Sequence, residues 1–422
     1  MTEHEGSGKE PVWVAIDIAK RVNEVLVELP DGQRHKRLRV ANTAKDYAAL
    51  ATWLQGLGRP VRIGFEPTGN YHRPLAYFLG QQGFELALIP SLALARIREA
   101  RHNSWDKNDP KDAQVILHML KIGMGRHYHD PLVHGLLDVQ ELSQTYHQVS
   151  LAKTRLQHSL LTHYLPLYFP EVQRYYSSTR AEWLLQFLLA FPTPATITAH
   201  TPEAFLTAAW PLVGRKVNKG RMLVDLYRTA QESIGLPVAV DTPAIAMFRV
   251  MLRELLALCS LRQQLERDAT RVLGDHLDFQ RYQSVPGVGP IVALTILAEA
   301  GDLRRFGHHR QFLKFCGLDL ATQQSGTQRG QTKLSKHGNR RLRSALWMAA
   351  GVAIRLRENS FRQKYTRYLR RDPDDLDLRR KARTAVTAKM ARVVYGLAKH
   401  DTVYRPFHEE AVPSGRTSLA GP

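Results

Sequence analysis

Hydrophobic and polar positions predict several strands with helices between them across residues 12–125. The segment VWVAIDIA (12–19) is apolar and rich in β-branched residues, which predicts a buried strand. Pro30, Asp31 and Gly32 separate two alternating stretches and predict a hairpin. VRIGFEP (61–67) and FELALIP (84–90) predict two more strands, and NDPKDAQVILHMLKIG (108–123) predicts a closing helix. The predicted order is β-β-β-α-β-α-β-α.

Three antiparallel strands followed by alternating helices and strands is the order of a ribonuclease-H-like domain. The pattern becomes helical after residue 130. There, one apolar stripe with three-and-four spacing predicts either a coiled coil or helical hairpin, or a helix packed inside one bundle. The members of this stripe are Ile245, Phe248, Leu252, Leu255, Leu258, Leu261, Leu265, Ala269 and Val272.

The chain is therefore predicted to be a multidomain α/β plus α protein. The predicted segments are a flexible N-terminus (1–11), a ribonuclease-H-like domain (12–130), a helical coiled-coil region with an insertion around 166–240 (131–277), a mainly helical C-terminal domain (278–400) and a disordered tail (401–422). The C-terminal domain opens on VPGVGP, which resembles a helix-hairpin-helix turn. The glycines Gly287 and Gly289 in that turn would let backbone N–H groups approach a phosphate. The alternative is an ordinary glycine-rich helix linker.

The overall charge of the chain indicates the kind of partner that it binds. The 422 residues carry a formal charge of +20, which predicts a nucleic-acid partner. We find no apolar run of membrane-spanning length and no signal-peptide pattern, so we expect no membrane association and a cytoplasmic location. The two distant cysteines, Cys259 and Cys316, fit a reducing compartment and exclude a cysteine-based zinc site.

Four acidic residues stand at positions that a metal site would use. Asp109 and Asp112 are three residues apart with Pro110 between them, which fits a capped helix start as well as a pair of metal ligands on one helix face. Asp17 lies in a buried strand, where an unpaired carboxylate is costly. Glu66 ends the fourth strand. If these four carboxylates converge, their repulsion requires cations, and their hard oxygen ligands suit Mg²⁺ or Mn²⁺.

A second candidate centre is the serine in QQSGTQRG. Ser325 and Gly326 lie in a polar segment that we predict to be an exposed loop, and a serine that attacks a phosphate needs nearby cations. The alternative is a plain Ser-Gly turn in a DNA-binding loop. Ser335 is a competing candidate, although KLSKHGN is more typical of a helix cap. The cations available to bind nucleic acid are Arg329, Lys333, Lys336, Arg340, Arg341 and Arg343.

Taken in order, AIDIAK, GFEPTGNY, KNDPKDA, SVPGVGP and QQSGTQRG with LSKHGNRRLR resemble the DEDD-type insertion-sequence transposases. These are bridge-RNA-guided serine recombinases of bacterial mobile elements. The resemblance covers residues 12–125 and 278–400. It implies a RuvC-like N-terminal domain whose acidic tetrad corresponds to Asp17, Glu66, Asp109 and Asp112. It also implies that Ser325 becomes covalently linked to DNA.

The resemblance further implies the partners of the protein. They are target and donor DNA, a structured noncoding guide RNA encoded by the element, and further copies of the chain in dimers that pair into tetramers. The alternative hypothesis is a RuvC-type metal-dependent nuclease or resolvase in which Ser325 is structural. The two hypotheses differ in one feature, a covalent protein–DNA intermediate.

Overall fold

A computed structural model describes residues 10–30, 35–102, 109–177, 182–214, 218–325 and 328–406 of the chain. For Asp109, Ser325 and Arg329 the description covers the backbone only. The chain forms two compact units, Met1–Gly135 and Leu136–Pro422. The boundary predicted at residue 277 therefore lies inside the second unit.

The first unit is built on a six-stranded mixed sheet with the order β3-β2-β1-β4-β5-β6. Strand β1 pairs antiparallel with β2 and parallel with β4, and β5 continues the parallel part. The hairpin predicted around Pro30 is present as the antiparallel pair β2–β3. The strands are β1 (Val12–Asp17), β2 (Val22–Glu28), β3 (His35–Ala41), β4 (Val61–Phe65), β5 (Glu85–Leu88) and β6 (Arg126–His127).

The helices of this unit are α1 (Ala44–Gln55), α2 (His72–Gln81), α3 (Ser91–His102) and α4 (Asp109–Lys121). Thr43 caps α1 by accepting a hydrogen bond from the backbone N–H of Asp46. Helix α3 and strand β6 are absent from the predicted order. The large apolar residues of α3 end at Ile97 and mainly basic residues follow, so its sequence has little helical periodicity.

Alternation along β1 divides the unit into two apolar layers. Val14 and Ile16 are fully buried in one layer, which includes residues of α1 and α2. Ala15 faces the other layer, which holds Leu26 of β2 and Ile116 of α4. Since successive side chains of a strand point to opposite faces of the sheet, every residue of β1 that has the parity of Ala15 lies on the α4 face.

The second unit begins with helices around one apolar core and continues into a second core. The first core comprises residues of 160–259, and the second extends from residue 139 to residue 398. The helices of the first part are α5 (Leu137–Ser159), α6 (Leu165–Tyr168), α7 (Glu182–Ala190), α8 (Pro194–Thr198), α9 (Pro202–Ala209), α10 (Lys219–Gln231) and α11 (Pro243–Leu273). A π-helical turn (Leu160–Tyr164) joins α5 to α6, and a 3₁₀ helix (Pro170–Tyr175) follows α6.

The apolar stripe of α11 packs within its own chain. Two contacts show that helix α11 runs antiparallel to α5. The Tyr146 hydroxyl of α5 donates to Glu266 near the end of α11, whereas Tyr164, which follows α5, stacks on Phe248 near the start of α11. This arrangement favours the interpretation of the stripe as part of an intramolecular bundle. Leu261 and Val272 of the predicted stripe are exposed. The residues that α11 buries are Ile245, Phe248, Met251, Leu252, Leu255, Cys259, Leu265, Ala269 and Leu273.

The C-terminal part of this unit is mainly helical and carries one two-stranded sheet. Its helices are α12 (Leu277–Gln283), α13 (Pro290–Ala300), α14 (His309–Cys316), α15 (Arg340–Ala353), α16 (Ser360–Leu369) and α17 (Leu376–Lys399). A 3₁₀ helix (Leu303–Arg305) precedes α14, and strands β7 (Leu320–Ser325) and β8 (Gln328–Leu334) pair antiparallel. The predicted combination of a mixed N-terminal sheet with a mainly helical remainder is thus confirmed.

The glycines of VPGVGP have different structural roles. Gly287 has φ +87°, and a Cβ there would lie 2.3 Å from the carbonyl oxygen of Ala349 in α15. Gly289 is the residue before α13, and a Cβ at that position would meet nothing within 4 Å. Gly287 therefore lets α15 approach the turn, whereas Gly289 leaves open space at the N-terminus of α13.

We expect Gly287→Ala to lower the free energy of unfolding by about 2–4 kcal/mol, because it adds a clash with the α15 backbone to the strain of a positive φ. Gly289→Ala is the matched control and is expected to change it by less than about 1 kcal/mol. Urea denaturation of both variants measures the difference. Equal stability of the two variants would contradict this packing role of Gly287.

Candidate active site

The parallel pairing of β1 and β4 places two of the predicted carboxylates side by side. Ile16 is the register partner of Phe65, so Asp17 and Glu66 are the next residues along the two neighbouring strands. Asp17 has the parity of Ala15, and Glu66 has the parity of Gly64, which lies against Leu120 of α4. Because side chains alternate along a strand, both acids lie on the face of the sheet that α4 covers, at the C-terminal ends of the two strands.

Asp112 lies on the helix that covers this face. The residue is only 2 % exposed, and its carboxylate accepts hydrogen bonds of 2.8 and 2.9 Å from Nη1 of Arg98 on α3. Arg98 supplies the positive charge that a buried carboxylate requires. This ion pair was not predicted, because Arg98 lies in helix α3, which the apolar pattern does not indicate.

Asp109 is the first residue of α4, so the helix begins one residue earlier than the capping interpretation requires. Residues 109 and 112 are three apart on the helix, which places them on neighbouring positions of one helical face. The side chain of Asp109 lies outside the description.

The donor chemistry of this face suits a divalent cation, and Arg98 occupies one of its carboxylates, that of Asp112. Carboxylates on two adjacent strands and on the covering helix provide hard oxygen ligands of the kind that Mg²⁺ and Mn²⁺ prefer. Among the side chains that the structure describes, no three histidine, cysteine, aspartate or glutamate residues form a group that could hold a metal ion. Asp112 would have to exchange Arg98 for the metal.

Two further acids of the same face were missed by the sequence analysis. Glu24 is the register partner of Asp17 on β2 and forms an ion pair of 3.0 Å with Arg39. Glu28, also on β2, accepts from Nζ of Lys121 at 2.5 Å and contacts Nε2 of His35 at 3.0 Å. Burial acts to raise the pKa of Glu28, but the bonds to Lys121 and His35 outweigh it, so the pKa lies below its ordinary value.

Ser325 lies at the end of a strand, and the prediction of a loop at that residue is wrong. It is the last residue of β7, and its register partner is Gln328, the first residue of β8. The neighbouring pair is Gln324 with Arg329. Gly326 lies outside the described residues. The segment QQSGTQRG was predicted as a loop because its polar residues lack the apolar alternation of a half-buried strand.

The base of this hairpin is fixed by hydrogen bonds. The backbone N–H of Ser335 donates to the carbonyl oxygen of Asp319 at 2.9 Å, and the Ser335 hydroxyl donates to the Asp319 carboxylate. The helix cap predicted in KLSKHGN is present, but Asn339 provides it and not Ser335. Asn339 caps α15 by accepting from the backbone N–H of Leu342 at 2.9 Å.

The basic residues predicted to bind nucleic acid fall into two groups. Arg341 forms an ion pair of 2.7 Å with Glu299 and donates to Ser143, and Arg343 donates to the carbonyl oxygen of Cys316 at 3.0 Å. These two guanidinium groups therefore stabilise the second unit through bonds within the chain. The other described members of the set, Lys333, Lys336 and Arg340, are exposed.

Cys316, close to this hairpin in the sequence, is not a second nucleophile. Its side chain is fully buried, and burial raises the pKa of the thiol to about 12. A thiol in that state remains protonated at neutral pH and is inert.

Two family models match separate parts of the chain. Residues 14–170 match a transposase model of the DEDD type of IS110 elements, and residues 280–366 match the model of the IS116/IS110/IS902 transposase family. The chain belongs to the IS110 family of DEDD-type transposases. The matched regions of this transposase contain the β1–β4 edge with Asp17 and Glu66, helix α4, and the β7–β8 hairpin with Ser325.

Individual relatives agree with the family models. The "Mini-circle putative transposase for IS117" of Streptomyces coelicolor is 26% identical over 360 residues, which are 81% of this chain and 84% of the relative. The "Transposase for insertion sequence element IS1111A" of Coxiella burnetii is 30% identical over 42% of this chain and 47% of the relative. The "Probable family 20 transposase" of Pseudomonas aeruginosa is 31% identical over 40% of this chain and 50% of the relative. The chain thus spans half or less of two of these relatives.

The helices give no sign of a membrane span. None of those among the described residues is long and apolar enough to cross a bilayer.

We expect Arg98→Met to destabilise the first unit by about 3–5 kcal/mol in the absence of divalent cations, because it leaves the buried Asp112 carboxylate unpaired. The double variant Arg98→Met with Asp112→Asn should recover most of this loss, since no charge is then buried. Thermal and urea unfolding in EDTA measure both. If the double variant is as unstable as the single one, the ion pair is not what stabilises this face.

Proposed function

We propose that this transposase cuts and rejoins DNA through Ser325, together with a divalent metal ion held by Asp17, Glu66, Asp109 and Asp112. The observation that carries the proposal is the β1–β4 register, which places Asp17 and Glu66 next to each other on the face covered by α4. The strand order β3-β2-β1-β4-β5 with β2 antiparallel supports a ribonuclease-H-like, RuvC-like domain.

The surface with Asp17, Glu66 and Asp112, which we call the acidic face, would combine a metal ion with cations of the protein. A bound Mg²⁺ or Mn²⁺ would polarise the scissile phosphate and offset its negative charge. Arg98 would hold Asp112 in place until the ion is bound and would then be released from the carboxylate. Arg39 and Lys121 keep Glu24 and Glu28 neutralised, so these neighbouring acids add little net repulsion to the site.

Ser325 would act as the nucleophile at the tip of the β7–β8 hairpin. Its Oγ forms a bond to the phosphorus of the scissile phosphodiester, its proton passes to a base, and one bridging oxygen leaves as a hydroxyl. The resulting phosphoserine conserves the energy of the bond, and attack by another DNA end reverses the step and rejoins the strands. The contacts between Ser335 and Asp319 support this role because they fix the base of the hairpin.

The proposed partners are target DNA, donor DNA and an element-encoded guide RNA, with homodimers that pair into a tetramer. The formal charge of +20 supports a polyanionic partner. The exposed cations Lys333, Lys336 and Arg340 follow the candidate nucleophile in the sequence and would contact phosphates. Base pairing by the RNA would select the sequence.

We expect Ser325→Ala to abolish a covalent protein–DNA complex. The purified protein with its co-expressed RNA is incubated with Mg²⁺ and labelled junction DNA and then run on a denaturing gel. The unmodified chain should give a slow, protease-sensitive labelled band that Ser325→Ala lacks. Ser335→Ala is the control and should retain the band, because the backbone N–H of residue 335 still donates to Asp319 at the base of the hairpin. A band that depends on Ser335 instead would move the nucleophile to that residue, and free cleaved ends without a band would favour a RuvC-type nuclease.

We expect Asp17→Asn and Glu66→Gln each to reduce cleavage by roughly a hundredfold or more, because each removes a ligand of a metal that contributes several kcal/mol to the transition state. DNA affinity and melting temperature should change little. Glu24→Gln is a matched control, since it neutralises the neighbouring acid that already pairs with Arg39. A loss of cleavage in Glu24→Gln as large as in Asp17→Asn would show that any charge change here disrupts the face.

A further inference from the structure

Positive charge greatly exceeds negative charge on four helices of the C-terminal core. Helices α14, α15 and α16 contain no acidic residue, and α17 contains only Asp377, in its first turn. Five basic residues from three of these helices form what we call the cationic stripe. They are His309 of α14, Lys364 and Arg367 of α16, and Lys389 and Arg392 of α17.

The packing of α16 on α17 holds the middle of the cationic stripe in place. Nζ of Lys389 donates to the carbonyl oxygen of Ser360 at 2.9 Å and lies 5.4 Å from the ring centre of Phe361, which is fully buried. Lys364 and Lys389 are half-buried, whereas Arg367 and Arg392 are exposed. The stripe is therefore a fixed feature of the folded core and extends to the solvent at both arginines.

The members of the cationic stripe affect one another as like charges. Burial, and then the charge of Arg392, lowers the pKa of Lys364. Burial also lowers the pKa of Lys389, with further contributions from Lys364 and Arg367. The pKa of His309 is lowered by burial and then by His308, Arg392 and Arg310. No acidic residue contributes to any of these three shifts.

The described acids near these helices have other partners or positions. Asp377 pairs with Arg380 at 3.1 Å, and Asp401 contacts Arg281 at 2.8 Å. Glu358 precedes α16 and lines a surface cleft of about 420 Å³ with Arg362 and Arg370. Among the described residues, no ion pair involves a member of the cationic stripe. Other ion-paired acids of the C-terminal core are Asp278 and Asp302, both with Arg304, Asp374, with Arg379, and Glu299, with Arg341.

Lysines held together in this way cost folding energy. A half-buried ammonium loses hydration, and its like-charged neighbours repel it, so the cluster opposes folding unless an anion is bound. Proteins retain such unfavourable groups mainly where function requires them. Because lysine and arginine contact phosphate oxygens, and the stripe crosses three helices, a chain of phosphates matches it better than a single small anion.

We propose that the cationic stripe binds the phosphodiester backbone of duplex DNA. The choice of DNA rests on the proposed function, since Phe361, Val386 and Met390 beneath the stripe share one apolar core with Phe312 and Leu318, which precede the β7–β8 hairpin. A DNA duplex bound to the cationic stripe would therefore be bound to the same packed core that the β7–β8 hairpin with Ser325 adjoins in the sequence. Contacts of this kind orient the duplex without reading its sequence.

The test is the double variant Lys364→Gln with Arg392→Gln, compared with Arg221→Gln and Arg253→Gln. The control pair removes the same charge from exposed positions on α10 and α11. Fluorescence anisotropy of a labelled duplex of about 30 base pairs with a scrambled sequence gives Kd between about 0.05 and 0.2 M NaCl. The stripe variant should lose about two units of the slope of log Kd against log salt and bind roughly tenfold or more weakly near 0.1 M. The control pair should lose much less.

The melting temperature distinguishes a loss of DNA binding from a loss of folded structure. Removal of two repelling charges should leave it unchanged or raise it, so a lower melting temperature with unchanged salt dependence would overturn the proposal. Arg392→Gln alone, at an exposed position, should still remove about one unit of slope if the double variant folds poorly. A loss of affinity confined to a structured RNA probe, or equal losses in the control pair, would also overturn it.

The covalent band reports the proposed function independently. At saturating DNA the stripe variant should still form the Ser325-dependent complex, because the nucleophile is unchanged. Loss of non-specific affinity in the stripe variant together with a covalent band in Ser325→Ala would contradict the serine assignment and leave the stripe standing.

Discussion

The parallel pairing of β1 with β4 is the constraint on which the acidic face depends. The register partner of Ile16 is Phe65, so the two strands end together, and the residues at their ends are Asp17 and Glu66. A slip of one residue would turn Glu66 to the opposite face and bury a charge among the side chains around α1 and α2. Gly64 permits the close approach of Leu120, so the same pairing also determines how α4 covers the sheet.

Helix α4 and strand β2 each bring an acid to an apolar interface, and a cation pairs with each of them. Arg98 of α3 binds both oxygens of Asp112, and Lys121 at the end of α4 binds Glu28. Both pairs lie on the face where Asp17 and Glu66 end their strands. A metal ion that bound this face would replace one internal cation with another, which makes metal binding and the position of α3 interdependent.

The sequence predicted the elements whose apolar periodicity is strong and missed those that tertiary contacts determine. Strand β1 and helix α4 were predicted because their apolar residues recur with regular spacing. Helix α3 was missed because its apolar residues do not follow a regular helical spacing. The β7–β8 hairpin was missed because it has few apolar residues and depends on hydrogen bonds such as that between Ser335 and Asp319. The predicted stripe of α11 included the exposed Leu261, since spacing alone does not show how neighbouring helices cross.

The formal charge of +20 predicted a polyanionic partner but not the residues that would bind it. Arg341 and Arg343 follow Ser325 in a basic run, yet their hydrogen bonds hold α15 to neighbouring parts of the unit. Lys364 and Lys389 are separated in the sequence and became recognisable only when the packing of α16 on α17 brought them together without an acid. A cation that already has an acidic or carbonyl partner must give up that interaction to bind a phosphate. At a cation without an acidic partner, phosphate binding instead reduces the repulsion from neighbouring positive charges. The pairing of each cation, more than the local density of basic residues, therefore indicates where the backbone of a nucleic acid binds.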